Sequence, residues 1–195
     1  MNDELVARRV AGVTAILSGV AQGSWAILNG VTPGGLDAGA PQVVQLGQYL
    51  GIGWNLLLIP VAVFLGIWLR PKSPYLVVVY TVCGLASFLL WAIDSAVMEA
   101  SWILLSAVWW LGIGFVLRSE HKILGSLTII VGIAAVLDGM VTLLDLQGPV
   151  FALSALKLPL ATIWNVWLGI ALLTVVKGKS HDLQIPSDTQ TEASQ

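Results

Sequence analysis

Apolar residues along this chain come in long, nearly unbroken blocks separated by short polar breaks. A helix needs roughly 20 apolar residues to cross a hydrocarbon core about 30 Å thick. Six blocks meet that requirement or come close: Val10–Leu28, Val43–Leu69, Tyr75–Val97, Ala100–Leu117, Ile123–Leu144 and Leu153–Val176. The fourth is the shortest, and the second is long enough to tilt. Transmembrane strands would read as shorter runs of strict alternation, and in lipid only helices satisfy every backbone amide within one segment. The pattern therefore predicts an all-α, polytopic membrane protein: a six-transmembrane-helix bundle over residues 1–177, followed by a polar, disordered cytoplasmic tail over 178–195.

The breaks are turn chemistry. Val31–Gln42 carries Pro33, Gly34, Gly35, Gly39 and Pro41, Pro71–Pro74 and Ser119–Lys122 read as tight turns, and Gln147-Gly148-Pro149 reads as the end of the fifth block. Arg8, Arg9, Arg70, Lys72, Arg118, Lys122, Lys177 and Lys179 all fall on one side of a six-span arrangement, and only Lys157 falls on the other. The positive-inside rule then sets both termini in the cytoplasm, in a cytoplasmic (inner) membrane. Arg8-Arg9 ahead of an apolar run also suits a signal peptide, but the length of that run favours a retained span.

Composition narrows the classes. Only 10% of the 195 residues are charged and 57% are hydrophobic, against about a quarter charged in soluble domains. The net charge of −2 argues against a nucleic-acid partner, and a single cysteine, Cys83, against a disulfide framework. The two histidines, His121 and His181, lie outside the spans, so no haem, metal or other cofactor is expected, nor a catalytic triad.

Polar residues inside the spans carry the candidate chemistry, because each must face the bundle or a wet cavity. Ser18, Gln22, Trp25 and Asn29 share one helical face; so do Gln45, Gln48 and Asn55, then Tyr80, Cys83, Ser87 and Asp94, then Asp138, Thr142 and Asp145. Trp102, Ser106 and Trp109 form a face of mixed character. At 1.5 Å per residue Asp138 lies roughly 23 Å from the basic end of its helix. Most of this polarity sits in the outer half. The expectation is an outward vestibule lined by the first, second, third and fifth spans, with Lys157 at its rim and paired with Asp138. Its ligand-binding candidates are Asp138, Asp94, Gln22, Trp25, Asn29, Gln45, Gln48 and Lys157, with Asn55 and Asn165 as polar core. Trp68, Trp91 and Trp102 suit interfacial belts, whereas Trp54, Trp109, Trp110 and Trp164 lie deeper and serve as filling.

Two short patterns recur. Leu-Gly-Ile appears at Leu65–Ile67, Leu111–Ile113 and Leu168–Ile170, and Gly-x-Ala at Gly19–Ala21, Gly84–Ala86 and Gly132–Ala134. The spacing allows three related helical hairpins, although such residues are common in membranes. The run Trp110-Leu111-Gly112-Ile113-Gly114-Phe115-Val116-Leu117-Arg118-Ser119 continues through Ile123-Leu124-Gly125, Gly132 and Asp138-Gly139 to Trp167-Leu168-Gly169 and Lys177-Gly178. It resembles a bacterial domain-of-unknown-function family of small six-helix integral membrane proteins, and Ala7-Arg8-Arg9-Val10-Ala11-Gly12 is similar to the start of that family. The chain departs from it in its short outer loops and in having Asn165-Val166 where the family implies a glutamate. The resemblance implies six helices and a bacterial source, and no activity. The functional expectation is a non-catalytic multi-pass protein whose vestibule binds a small molecule, a lipid or a membrane-protein partner. The alternatives are an accessory subunit of a larger complex, or a proton or solute transporter using Asp94 and Asp138.

Overall fold

The computed structural model describes residues 2–33, 35, 39–93, 99–144 and 146–174. These form six α-helices: α1 (Asn2–Val31), α2 (Pro41–Leu69), α3 (Pro74–Ile93), α4 (Glu99–Leu117), α5 (Lys122–Leu143) and α6 (Gln147–Thr174). Each helix packs against its neighbours in the chain, and α6 returns to α1, so the helices close into a ring. Five of them are long and apolar enough to cross a membrane; α4 is apolar over a shorter stretch, Ser101–Leu117.

The helix ends follow local chemistry. Asp3 and Glu4 occupy the first turn of α1, where carboxylates complement the exposed amides of a helix start. The helix consequently begins eight residues before the apolar block does. Pro41 opens α2 at a position where its missing N–H costs nothing. Gln147-Gly148-Pro149, expected to close the fifth block, instead forms the first turn of α6. Proline is tolerated in a first turn for the same reason, so the tripeptide starts a helix rather than ending one. Residues 94–98, Asp145 and residues 175–195, which include the expected tail, lie outside the described residues.

The ring is tight because glycines let helices meet. A Cβ on Gly12 or Gly19 of α1 would meet α6; on Gly169 of α6 it would lie 2.5 Å from Ile16; on Gly84 of α3, 2.5 Å from Trp109; on Gly132 of α5, 2.8 Å from Leu111; and on Gly66 of α2, 2.5 Å from Thr81. The glycines of both recurrent sequence patterns therefore stand at helix–helix contacts. Close approach of this kind is how helices associate where water supplies no driving force.

Among the described residues, side-chain hydrogen bonds cross at least four of the six seams. Ser18 Oγ donates to the Trp54 carbonyl across α1–α2 at 3.0 Å, and Ser87 Oγ to the Trp102 carbonyl across α3–α4 at 2.9 Å. Trp164 Nε1 donates to Thr128 Oγ1 across α6–α5 at 2.6 Å, and Asn165 Nδ2 to Gln22 Oε1 across α6–α1 at 3.1 Å. At the end of the bundle that carries Arg70, Lys72, Arg118 and Lys122, Lys72 and Glu120 form an ion pair at 2.7 Å between two adjacent connections.

The interior divides along the ring axis. Towards the basic end the core is apolar: Leu65, Leu69, Val77, Ile113, Leu117, Leu124, Leu168 and Leu172 are buried together. Above them Trp109, Trp110 and Trp164 meet edge-on, with ring centroids 4.4–6.0 Å apart. The outward faces are aliphatic, with Ile27 68% and Ile67 69% exposed. This apolar exterior around a partly polar interior reverses the arrangement of a soluble domain.

Candidate functional site

A cavity of about 60 Å³ lies inside the ring, beyond the tryptophan cluster and in the half away from the basic end. All six helices supply its wall: Gln22 from α1, Trp54 and Asn55 from α2, Ser87 and Phe88 from α3, Trp102, Ser106 and Trp110 from α4, Val131 and Ala135 from α5, Lys157 and Ala161 from α6. At a liquid-volume share of about 30 Å³ per water, it has room for about two waters or one very small molecule.

Each polar wall residue is placed by the stripe its helix buries. On α1, Ala11, Ala15, Ser18 and Gln22 are buried at spacings of four, three and four, the period of one helical face. On α5 the buried line runs through Thr128, Val131, Ala135 and Asp138. On α2 it runs through Gly47, Gly51, Asn55 and Leu58.

Asp138 and Lys157 meet as their depth suggested: Lys157 Nζ donates to Asp138 Oδ2, with side-chain exposures of 3% for the aspartate and 16% for the lysine. Lys157 lies on the cavity wall and Asp138 does not. Asp138 also has an interaction beyond this pair, and its backbone carbonyl accepts from Thr142 Oγ1 at 2.8 Å.

Of the other expected site residues, Gln22 and Asn55 line the cavity and Asn165 is 1% exposed beside Gln22. Trp25 stands behind the wall, edge-on to Trp54 at 5.3 Å. Asn29 is half-buried close to Gly35, which has a φ of +84°. Gln45 and Gln48 are exposed and take no part in the lining. Both lie on one flank of the buried line of α2, and Gln45 is occupied with Tyr49 at 2.9 Å. Asp94 falls outside the described residues.

The wall also includes residues that sequence reasoning assigned elsewhere. Trp102, expected in an interfacial belt, lines the cavity and meets Trp91 edge-on at 6.3 Å. Trp91 in turn packs on Trp54 at 5.8 Å, so these rings face one another rather than lipid. The fourth span, left out of the expected vestibule, supplies three of the wall residues, and the sixth, expected to bring only Lys157 to the rim, supplies Lys157 and Ala161. The signal was available in part, since Trp102 and Ser106 share a helical face.

The hydrogen-bonding balance of the wall is specific. The Ser87 and Ser106 protons are committed to backbone carbonyls, Ser106 Oγ donating to Ile103 O at 2.7 Å. Asn55 Nδ2 donates to Gly51 O at 3.1 Å. The indole N–H of Trp102 is buried without a hydrogen-bond partner. Trp109 Nε1 and Asn165 Oδ1 are likewise buried without a partner, departures from the usual pairing of buried polar groups.

No family model, curated protein or solved structure matches the chain. Its class is defined by its own architecture: an all-helical protein whose long apolar helices fit a multi-pass membrane protein.

Proposed function

We propose that the chain is a six-span, non-catalytic protein of a cytoplasmic membrane, with both termini inside and a small-molecule site open to the far side. Its kinship with the bacterial six-helix family is part of that proposal. The observation that carries the reading is the cavity on the ring axis, partly polar and walled by every helix. By chain order, eight of the nine Lys and Arg residues fall on the other side of a six-span arrangement, which supports the orientation.

A binding role is favoured over a transport role by what lies beneath. The cavity floor is Trp110, Val131 and Leu58, backed by Trp109 and Trp164 at 0% exposure. A route through to the basic end would have to break this packing. Mass spectrometry of small molecules released from purified protein tests the reading, with Ala135→Leu as a variant that fills the cavity. A species present in wild type and lost from the variant supports it; identical profiles from both reject it.

A further inference from the structure

No described glycine faces across the seam between α5 and α6. A Cβ on Gly125, Gly132 or Gly139 of α5 would meet α4 or the Arg118 that follows it, and on Gly169 of α6 it would meet α1. Without that close approach the two helices leave an outward groove of about 390 Å³ near the basic end. Its wall is Lys122, Ile123, Ser126, Leu127 and Ile130 of α5, which follow one helical face, and Trp167 of α6. Ile123, Ile130 and Trp167 are exposed on the aliphatic exterior of the ring.

The groove is charged at one end and apolar along its length. Lys122 is the first residue of α5, is exposed, and forms no salt bridge with another described residue. The nearest acid in the chain, Glu120, is paired with Lys72. The two connections at this end carry Arg70, Lys72, Arg118 and Lys122 against Glu120 alone, so the mouth of the groove is cationic. His121 packs against Trp68 and does not cap α5, so the amides of the first turn add to that field. Beyond Lys122 the wall is aliphatic and aromatic except for Ser126. The rise from Lys122 to Ile130 is about 12 Å, most of the roughly 15 Å half-thickness of a hydrocarbon core.

A fitting occupant carries an anionic group at the level of the membrane interface and an apolar chain running inwards from it. A free anion would leave the apolar wall bare, and a zwitterionic or neutral lipid would gain less from Lys122. We infer that the α5–α6 groove seats an anionic phospholipid of the leaflet at the basic end. Its phosphate lies on Lys122, and one acyl chain runs along Ile123, Leu127 and Ile130 against Trp167. Ser126, one turn in from Lys122, donates to an ester carbonyl. Basic sites between transmembrane helices suit such headgroups. The inference is independent of the cavity on the ring axis, because the two walls share no residue.

The test is native mass spectrometry of the delipidated full-length protein in detergent micelles. The probes are phosphatidylglycerol, phosphatidylcholine with the same acyl chains, and sodium phosphate. The first phosphatidylglycerol should bind about fivefold or more tightly than phosphatidylcholine, the scale of one basic residue against an anionic lipid surface. Lys122→Gln, at an exposed position, should abolish that preference. Arg70→Gln, which removes an equal charge at the end of α2, should leave it. Ser126→Trp, which fills the groove, should weaken both lipids. Phosphatidylglycerol brominated on its chains gives a readout that needs no change in α5: it should quench the emission of wild type more than that of Trp167→Phe. Equal affinity for the two lipids, equal losses in Lys122→Gln and Arg70→Gln, equal quenching of wild type and Trp167→Phe, or displacement of the lipid by sodium phosphate at matched concentration overturns the inference. So does a dimer that Ser126→Trp separates, since a second copy of the chain would then occupy the groove.

Discussion

Removing Lys157 alone is expected to be costly, and removing both members of its pair is not. The Asp138 side chain is 3% exposed and that of Lys157 16%, so Lys157→Met strands a carboxylate in a site with little access to water. Breaking a buried pair from one side costs about 3–5 kcal/mol, while replacing both members by well-packed apolar residues is often neutral or stabilising. The partial exposure of Lys157 and the further interaction of Asp138 argue for the lower end, about 3 kcal/mol, close to the penalty for a lone Asp at a helix centre on insertion scales. Asp138→Leu leaves the ammonium on the cavity wall, where water reaches it, and should cost less, about 2 kcal/mol. The double variant Asp138→Leu/Lys157→Met should lie within about 1 kcal/mol of wild type, giving a coupling of about 4–6 kcal/mol. The assay is reversible unfolding in mixed dodecylmaltoside and dodecyl sulfate micelles, followed by tryptophan emission. A double variant as unstable as the sum of the two singles would show that the charges do not act as a pair and would refute the reasoning.

Other consequences follow from packing. Gly125→Ala would put a methyl 2.3 Å from the Arg118 backbone nitrogen, which cannot move aside as a side-chain tip can. A loss of at least about 2 kcal/mol is expected in the same unfolding assay. Gly53→Ala meets nothing within 4 Å and should stabilise by about 0.5–1 kcal/mol through helix propensity; equal effects of the two alanines would show that the close approach is not as described. Thr128→Val removes the acceptor of the Trp164 N–H at a residue with 0% exposure. The cost should be about 1–3 kcal/mol for the stranded donor, and Trp164→Phe on that background should add less than it does in wild type. Lys72→Ala breaks an ion pair whose lysine side chain is 57% exposed; it should change stability by less than about 1 kcal/mol.

How much of this was legible in the sequence depends on what each residue type reports. Block length located all six helices, because a bilayer-scale apolar run has few other uses. Proline misled at Gln147-Gly148-Pro149, since the residue that breaks a helix interior also opens a first turn, and hydropathy does not separate the two. Depth along a helix can be counted, so the Asp138–Lys157 pair was within reach. Azimuth is harder. Gln45 and Gln48 are separated from the buried line of α2 by a fraction of a turn, and only the packing of Gly47 and Gly51 fixes which way that line faces. The cavity itself was out of reach, because it depends on α6 closing against α1 through Gly12, Gly19 and Gly169. Trp102 shows the same limit: an indole near a helix end reads as an interfacial anchor until its neighbours are known.

Cysteine accessibility in intact cells bears most directly on the account as a whole. In a Cys83→Ser background, single cysteines at Val31, exposed at the end of α1 away from the basic residues, and at Ser119 in the connection at the basic end are challenged with a membrane-impermeant maleimide. The account predicts labelling of Val31→Cys from outside, and labelling of Ser119→Cys only after the cells are permeabilised. Labelling of Ser119→Cys in intact cells, with Val31→Cys unreactive there, would contradict it.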